Sequence, residues 1–319
     1  MIITVTPNPA VDKTLIVHGF RPGATNRGTL RRVDVGGKGI NVARNLKQLG
    51  CDVVATGFHG DADHHGTVAM LARHGIGAAF VPSLGELRVN LKVIDSMTGD
   101  ETEINEAGDA VSAEAVDLLA VRLRDLARGA SVVVFSGSLP PGAPIDLYAQ
   151  LIAQTREAGA LTVLDSAGPA LAEGIAACPD LVKPNRAEAE ELLGIAIADE
   201  VSLVTALQRI LTAGARNVVI SLGPDGAAGA APDGIWRTHP VTVRTHSTVG
   251  AGDAMVAALA YGLERSLLLP EALRLAAAAG CAASATAEPF PALEAVQALL
   301  SQIQVEPIAA AAGVPAFER

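Results

Sequence analysis

Two stretches of this 319-residue chain place reactive side chains directly against glycine turns. In "HSTVGAGDAMVAAL", residues 246–259, Gly250-Ala251-Gly252 precede one acid, Asp253, and then a run of small apolar residues. In "VGGKGINVARNLKQLG", residues 35–50, Lys38 sits inside the turn and Asn41 follows it by about one helical turn. A helix N-terminus carries unpaired N–H groups and partial positive charge, and glycine lets the backbone approach an anion closely. Each stretch therefore reads as an anion cradle. The helix dipole would keep a carboxylate at Asp253 ionised, ready to take a proton from an attacking hydroxyl. That combination suits phosphoryl transfer, which rests on positioning and charge stabilisation. Taken alone, each stretch also fits a simpler reading, with Asp253 as a helix cap and Lys38 as a solvated lysine. Two cradles on one chain point to two anionic ligands, a nucleotide and a phosphorylated acceptor.

The elements that must hold these turns follow an α/β rhythm. Buried-strand patterns at 2–6, 53–58, 131–137, 161–166, 181–185 and 217–223 alternate with helical patterns at 39–49, 66–74, 112–128, 144–158, 186–193 and 201–213. Continuous apolar strands between amphipathic helices predict a mainly parallel sheet covered on both faces. Three further helical segments fill the C-terminal third, and 305–319 reads as a loosely held tail. Residues 11–36 and 86–107 break the rhythm with strand-like alternation and no helix between. Arg88, Asn90 and Lys92 fall at every second position there and so share one strand face. These segments read as a small β-lid on a single domain spanning 1–319.

Bulk properties exclude several classes. A net charge of −10 with only 3% aromatic residues argues against nucleic-acid binding. Cys51, Cys178 and Cys281 are scattered with no CxxC pair, as in reduced, buried thiols. No apolar run reaches membrane-spanning length and the start lacks a basic n-region, so the expected location is cytoplasmic. The P-loop pattern fails because Gly39 follows Lys38, GxGxxG fails at Met255, and no GxSxG is present. "GDADHHG", 60–66, reads as a polar loop before a helix, since adjacent histidines converge poorly on one ion.

The segments "GGKGINVARNLKQLG", "SGSLPPG", "LVKPNRAE", "VISLGPDGA" and "STVGAGDAM" occur in this order along the chain. Together they resemble the ribokinase-like sugar kinases from residue 1 to about residue 285. Within these the likeness is to the phosphofructokinase-B group, with "TPNPAVDKT" and "STVGAGDAMV" similar to bacterial 1-phosphofructokinases. The resemblance implies an α/β fold, a three-layer αβα sandwich with a mainly parallel central sheet and a small β-lid. It implies Asp253 as general base and the Gly250, Ala251 and Gly252 amides as an anion hole. Lys183 and Asn185 match positions that contact nucleotide phosphates. Asn185 and Glu188 match an Asn-x-x-Glu element acting on Mg²⁺, often through water. Ser221, Gly223 and Gly226 match the loop beside ATP, with Thr248 near it.

On the acceptor side, Asp12 matches an acid that grips sugar hydroxyls, and Gly37, Lys38, Asn41, Arg88 and Ser138 match acceptor positions. The Arg88-Asn90-Lys92 face is closer to 1-phosphofructokinases than to the tagatose-phosphate branch. The implied reaction is phosphorylation of fructose 1-phosphate by ATP with Mg²⁺. Tagatose-6-phosphate kinase and 6-phosphofructokinase are the alternatives, and a non-catalytic sugar-phosphate sensor ranks low because Asp253 and its glycines are intact. Lids in this family often pair across a two-fold axis, so a homodimer through the lid is the matching expectation.

Overall fold

Alternation along each central strand sends neighbouring β-branched and aromatic residues to opposite faces, and this divides the molecule into layers. The computed structural model describes residues 1–60, 66–239, 241–286 and 290–308. The chain begins with β1 (Ile2–Thr6), leaves through β2 (Ala10–Val17) and β3 (Gly28–Gly36), and returns by α1 (Lys38–Gln48) to β4 (Val53–Gly60). After α2 (Thr67–Arg73) come two short strands, β5 (Gly77–Ala78) and β6 (Val81–Ser83), then β7 (Arg88–Asp95) and β8 (Glu101–Asn105). Crossovers then build the next part: α3 (Ala113–Ala127), β9 (Val132–Ser136), α4 (Leu147–Glu157), β10 (Leu161–Asp165), α5 (Gly168–Ala176) and β11 (Leu181–Val182). Helices α6 (Arg186–Leu193) and α7 (Glu200–Thr212) lead to β12 (Val218–Ser221), β13 (Ala227–Ala231) and β14 (Gly234–Thr238). The described chain closes with α8 (Ala251–Glu264), α9 (Leu269–Ala285), α10 (Leu293–Leu300) and β15 (Val305–Pro307).

The main sheet runs β15-β14-β13-β12-β11-β10-β9-β1-β4-β5, with β6 paired to β4. From β12 to β5 every pairing is parallel, whereas β13, β14 and β15 add antiparallel to the other edge. Ile2, Val132, Val134 and Val163 face a core shared with α1, α8 and α9. Ile3, Val133, Phe135 and Leu164 face the opposite core, under α3, α4, α5 and α7. This is the expected three-layer sandwich. A second, four-stranded sheet runs β3-β2-β7-β8. In it β2 and β7 are parallel, with Ala10 opposite Arg88 and Asp12 opposite Asn90.

Three details depart from the expectations. Residues 181–185 form a strand only over Leu181–Val182, because Pro184 lacks an N–H for the ladder. Helix α5 was not anticipated; its nine residues include two glycines and a proline, a composition that weakens any periodic signal. Val305–Pro307, expected in the loose tail, pair with β14 as an edge strand. Residues 309–319 and the cluster Asp61, Asp63, His64 and His65 lie outside the described residues. Among the described residues no helix is long and apolar enough to cross a membrane.

Helices α8 and α9 pack through small residues. Ala254, Ala257, Ala258, Ala272, Ala276 and Ala279 are all buried in one core. A Cβ on Gly262 would stand 2.9 Å from the Cβ of Ala272, so the two backbones are already at their limit. We expect Ala272→Leu to destabilise the protein by on the order of 1–3 kcal/mol through overpacking. Urea denaturation would show a lowered midpoint with an unchanged slope.

Candidate active site

Helices α1 and α8 pack together, and both begin at a glycine on the same side of the sheet. Gly37 caps α1 with φ 111°, and a Cβ there would come within 2.8 Å of the Thr6 methyl. A side chain is excluded twice, by conformation and by space. Gly250 caps α8 in the left-handed region, at φ 82°. The first-turn amides of each helix have no preceding helical carbonyl to bond; apart from a long contact of Ala251 N with the Thr248 carbonyl at 3.4 Å, both termini offer donors to an anion. They open on a cleft of about 1580 Å³ that also receives residues from the second sheet and from the carboxyl ends of β10, β11 and β12. Ligands in open α/β sheets bind in such a place.

Asp253 lies in the first turn of α8, 6% exposed, and its Oδ2 accepts a hydrogen bond from Asn41 Nδ2 at 2.9 Å. Burial pushes its carboxyl up to about 7, and the neighbouring charge of Asp165 adds to the rise. Asn41, Lys38 and Lys183 act in the opposite direction and do not offset it. The helix dipole therefore does not keep this group fully ionised, as the sequence suggested: desolvation outweighs it. A carboxyl poised near neutrality is well matched to proton transfer at neutral pH.

The residue that sequence reasoning missed is Asp165, at the end of β10. Its side chain is buried and faces Lys183 Nζ from Oδ1 at 3.3 Å and Lys38 Nζ from Oδ2 at 3.6 Å. Ser136 Oγ donates to Oδ2 at 2.9 Å. Burial alone would raise this carboxyl, but the two ammonium groups override it and hold it below the usual carboxylate range. Lys38 is held charged mainly by Asp165, with Glu188 Oε1 at 3.7 Å contributing. The floor of the cleft thus holds two lysines beside the charged Asp165 carboxylate and the Asp253 carboxyl, which is raised to about 7.

Asn185 and Glu188 cap α6 reciprocally. Glu188 N donates to Asn185 Oδ1 at 2.9 Å, and Asn185 N donates to Glu188 Oε2 at 2.8 Å. This engagement fixes the pair and leaves Glu188 Oε1 toward Lys38. Ser221 bridges to Asn185 in β-fashion, and Arg186 pairs with Asp225 at 2.7 Å, so the "KPN" and "SLGPDG" loops are fastened together. Gly223, Gly226 and Thr248 line the same end of the cleft. The oxygen donors gathered here, carboxylate, amide and hydroxyl, suit a hard cation that keeps its waters, so Mg²⁺ fits the residues present.

At the other end, Asn90 Nδ2 donates to Asp12 Oδ1 at 2.8 Å, and Arg88 Nη1 donates to Asn90 Oδ1 at 3.0 Å. Burial raises the Asp12 carboxyl against the pull of Asn90 and Arg88. Arg88 also donates to the carbonyls of Asn8 and Glu106. Lys92 lines the cleft too, yet its ammonium pairs with Glu101 at 3.0 Å and Glu103 at 3.6 Å on β8. Sequence spacing put Lys92 on the correct face but gave no sign of these two acids. Ser138 is the one expected residue that does not line the cleft; it is exposed and accepts a hydrogen bond from Asn8.

The model of the pfkB family of carbohydrate kinases matches residues 6–290. The 1-phosphofructokinase of Rhodobacter capsulatus is 38% identical over 282 residues, covering 87% of this chain and 88% of that one. The ATP-dependent 6-phosphofructokinase isozyme 2 of Escherichia coli (strain K12) is 34% identical over 285 residues, 89% and 92% of the two chains. The crystal structure of phosphofructokinase-2 from Escherichia coli in complex with fructose-6-phosphate has a TM-score of 0.88 at 32% identity, covering 94% of this chain and 98% of that one.

A carboxyl whose folded pKa lies above its unfolded value favours the fold in its protonated form. That contribution is whole below about pH 4 and is lost as pH rises through about 7. Asparagine at 253 suffers no such loss. We expect Asp253→Asn to gain stability relative to wild type by on the order of 2–4 kcal/mol between these limits and to hold the gain above them. Thermal melts of both proteins across the range would show the gap widening; a constant gap would contradict it.

Proposed function

The chain belongs to the pfkB family of carbohydrate kinases, and from that premise we propose that it phosphorylates the C6 hydroxyl of fructose 1-phosphate. The products are fructose 1,6-bisphosphate and ADP. The observation that carries this reading is Asp253, a carboxyl titrating at about 7, hydrogen-bonded to Asn41 where two glycine-capped helices meet. In the reaction the acceptor oxygen bonds to the γ-phosphorus of ATP while the bond to the β–γ bridging oxygen breaks. Asp253 takes the hydroxyl proton. The Gly250, Ala251 and Gly252 amides and the ammonium groups of Lys38 and Lys183 receive charge on the transferring group.

Glu188, with Asn185 fixing its orientation, would hold hydrated Mg²⁺ near the phosphates, where it supplies charge neutralisation. Ser221, Gly223, Gly226 and Thr248 would line the nucleotide. Asp12 and Asn90 would hold sugar hydroxyls, and Arg88 is the strongest candidate for the phosphate already on the sugar, since a guanidinium binds phosphate bidentately. The Escherichia coli relative and the fructose-6-phosphate complex favour a second reading, fructose 6-phosphate as acceptor. The second sheet, closing over the cleft, would exclude water as a competing acceptor. A homodimer through that sheet is part of this proposal.

Asp253→Asn is expected to lower kcat by on the order of 10² to 10⁴. Wild-type kcat/KM should rise with pH through about 7, as the base loses its proton, and then level off. Near-normal turnover in the variant would remove Asp253 from the chemistry. Arg88→Ala should weaken acceptor binding by about tenfold to a hundredfold, the value of one to two charged hydrogen bonds, with KM for ATP unchanged. An ADP-release assay over fructose 1-phosphate, fructose 6-phosphate, tagatose 6-phosphate and free fructose checks both the sugar and the need for its phosphate.

A further inference from the structure

Arg44 is the only arginine among the described residues that is almost wholly buried, at 4% exposure. It lies on α1, three residues beyond Asn41, and its guanidinium pairs with Asp34 near the end of β3. The second oxygen of Asp34 pairs with Arg32 at 2.6 Å, and the guanidinium of Arg44 lies 5.0 Å from the centre of the Phe290 ring. Burial would raise the Asp34 carboxyl, but Arg44 and Arg32 hold it lower than usual. Between Asp34 and Lys38 the chain has only Val35, Gly36 and Gly37, the last at φ 111°. The ion pair therefore spans the glycine link that joins the second sheet to α1.

We propose that Asp34 and Arg44 form a clamp across this link, limiting how far the second sheet can swing from α1 and so returning Asp12 and Arg88 to one alignment over Asn41 and Asp253 when the sheet closes. The inference rests on the kinase reading. Gly36 is the last ladder residue of β3, opposite Ala10, so the turn between sheet and helix falls on Gly37, whose backbone freedom makes it the natural pivot. An ion pair buried at its arginine end resists that freedom, because breaking it leaves the Arg44 charge uncompensated in the interior. Phe290 adds a third anchor from the segment after α9, since a guanidinium stacks on a ring while its edge stays bonded. Both members line the cleft and their charges reach Asp12, yet neither enters the hydrogen-bond network around Asp253 described above. They are positioning residues.

The test compares Asp34→Asn, Arg44→Lys and the double variant with wild type. Loss of alignment should raise acceptor KM by about tenfold to a hundredfold and increase ATP hydrolysis relative to sugar phosphorylation, with KM for ATP unchanged. Arg44→Lys keeps the charge and should retain part of the function; the double variant should be no worse than Asp34→Asn, because each change removes the same contact. Amide hydrogen exchange over residues 35–41 should accelerate in Asp34→Asn, a reading that needs no turnover. A role confined to stability would lower the melting temperature while leaving KM values, coupling and local exchange as in wild type, and would overturn the clamp. If wild type phosphorylates none of the sugars, the kinase reading fails separately, and exchange alone then decides: acceleration confined to 35–41 supports the clamp, and its absence overturns it.

Discussion

One buried carboxylate organises the floor of the cleft. Asp165 sits at the end of a central strand with an ammonium group on each oxygen, Lys183 from the neighbouring strand and Lys38 from the first glycine turn. Neither lysine could be held this close to the other without an anion between them, and a lone buried anion would be protonated. Each charge depends on the others. Burial is the main reason the Asp253 carboxyl is raised to about 7, and the same anion adds to that rise.

The fold delivers these groups from distant parts of the chain by a simple device. Parallel strands end on one side of the sheet, and the helices α1 and α8 start on that side, so strand ends and helix N-termini converge. Two kinds of fixed positive potential meet there: lysine charges and helix termini. The second sheet supplies side chains of a different sort, a hydrogen-bonded series from Arg88 through Asn90 to Asp12. The lysines with the helix termini, and the Arg88–Asn90–Asp12 series, are thus contributed by separate sheets.

Much of this could be read from sequence where the signal was local. Glycine turns at 35–39 and 250–252 announced helix starts, and alternation at Arg88, Asn90 and Lys92 announced a shared strand face. What escaped was long-range. Asp165 in "LTVLDS" looks like the end of any strand, because its partners lie 127 residues earlier and 18 residues later. The acids that occupy Lys92 come from the next strand, whose register no spacing reveals. The ionisation of Asp253 was misjudged for a related reason: a helix dipole is visible in sequence, whereas the depth of burial that opposes it is not. Ser138 matched a motif, yet it is not among the residues that line the cleft and is bonded instead by Asn8.

The alanine-lined contact between α8 and α9 has a consequence for how still the site is. Side chains such as leucine or methionine let a helix interface settle into several rotamer combinations, each with a slightly different spacing. Alanine and glycine have no rotamers to exchange, and they lose no side-chain entropy on burial. Much of the separation of these helices is set by backbone bulk, with Met255 against Gly280 as a flexible exception. Asp253 rides on the first turn of α8, so it inherits a mounting in which few of the packed side chains have rotamers to exchange.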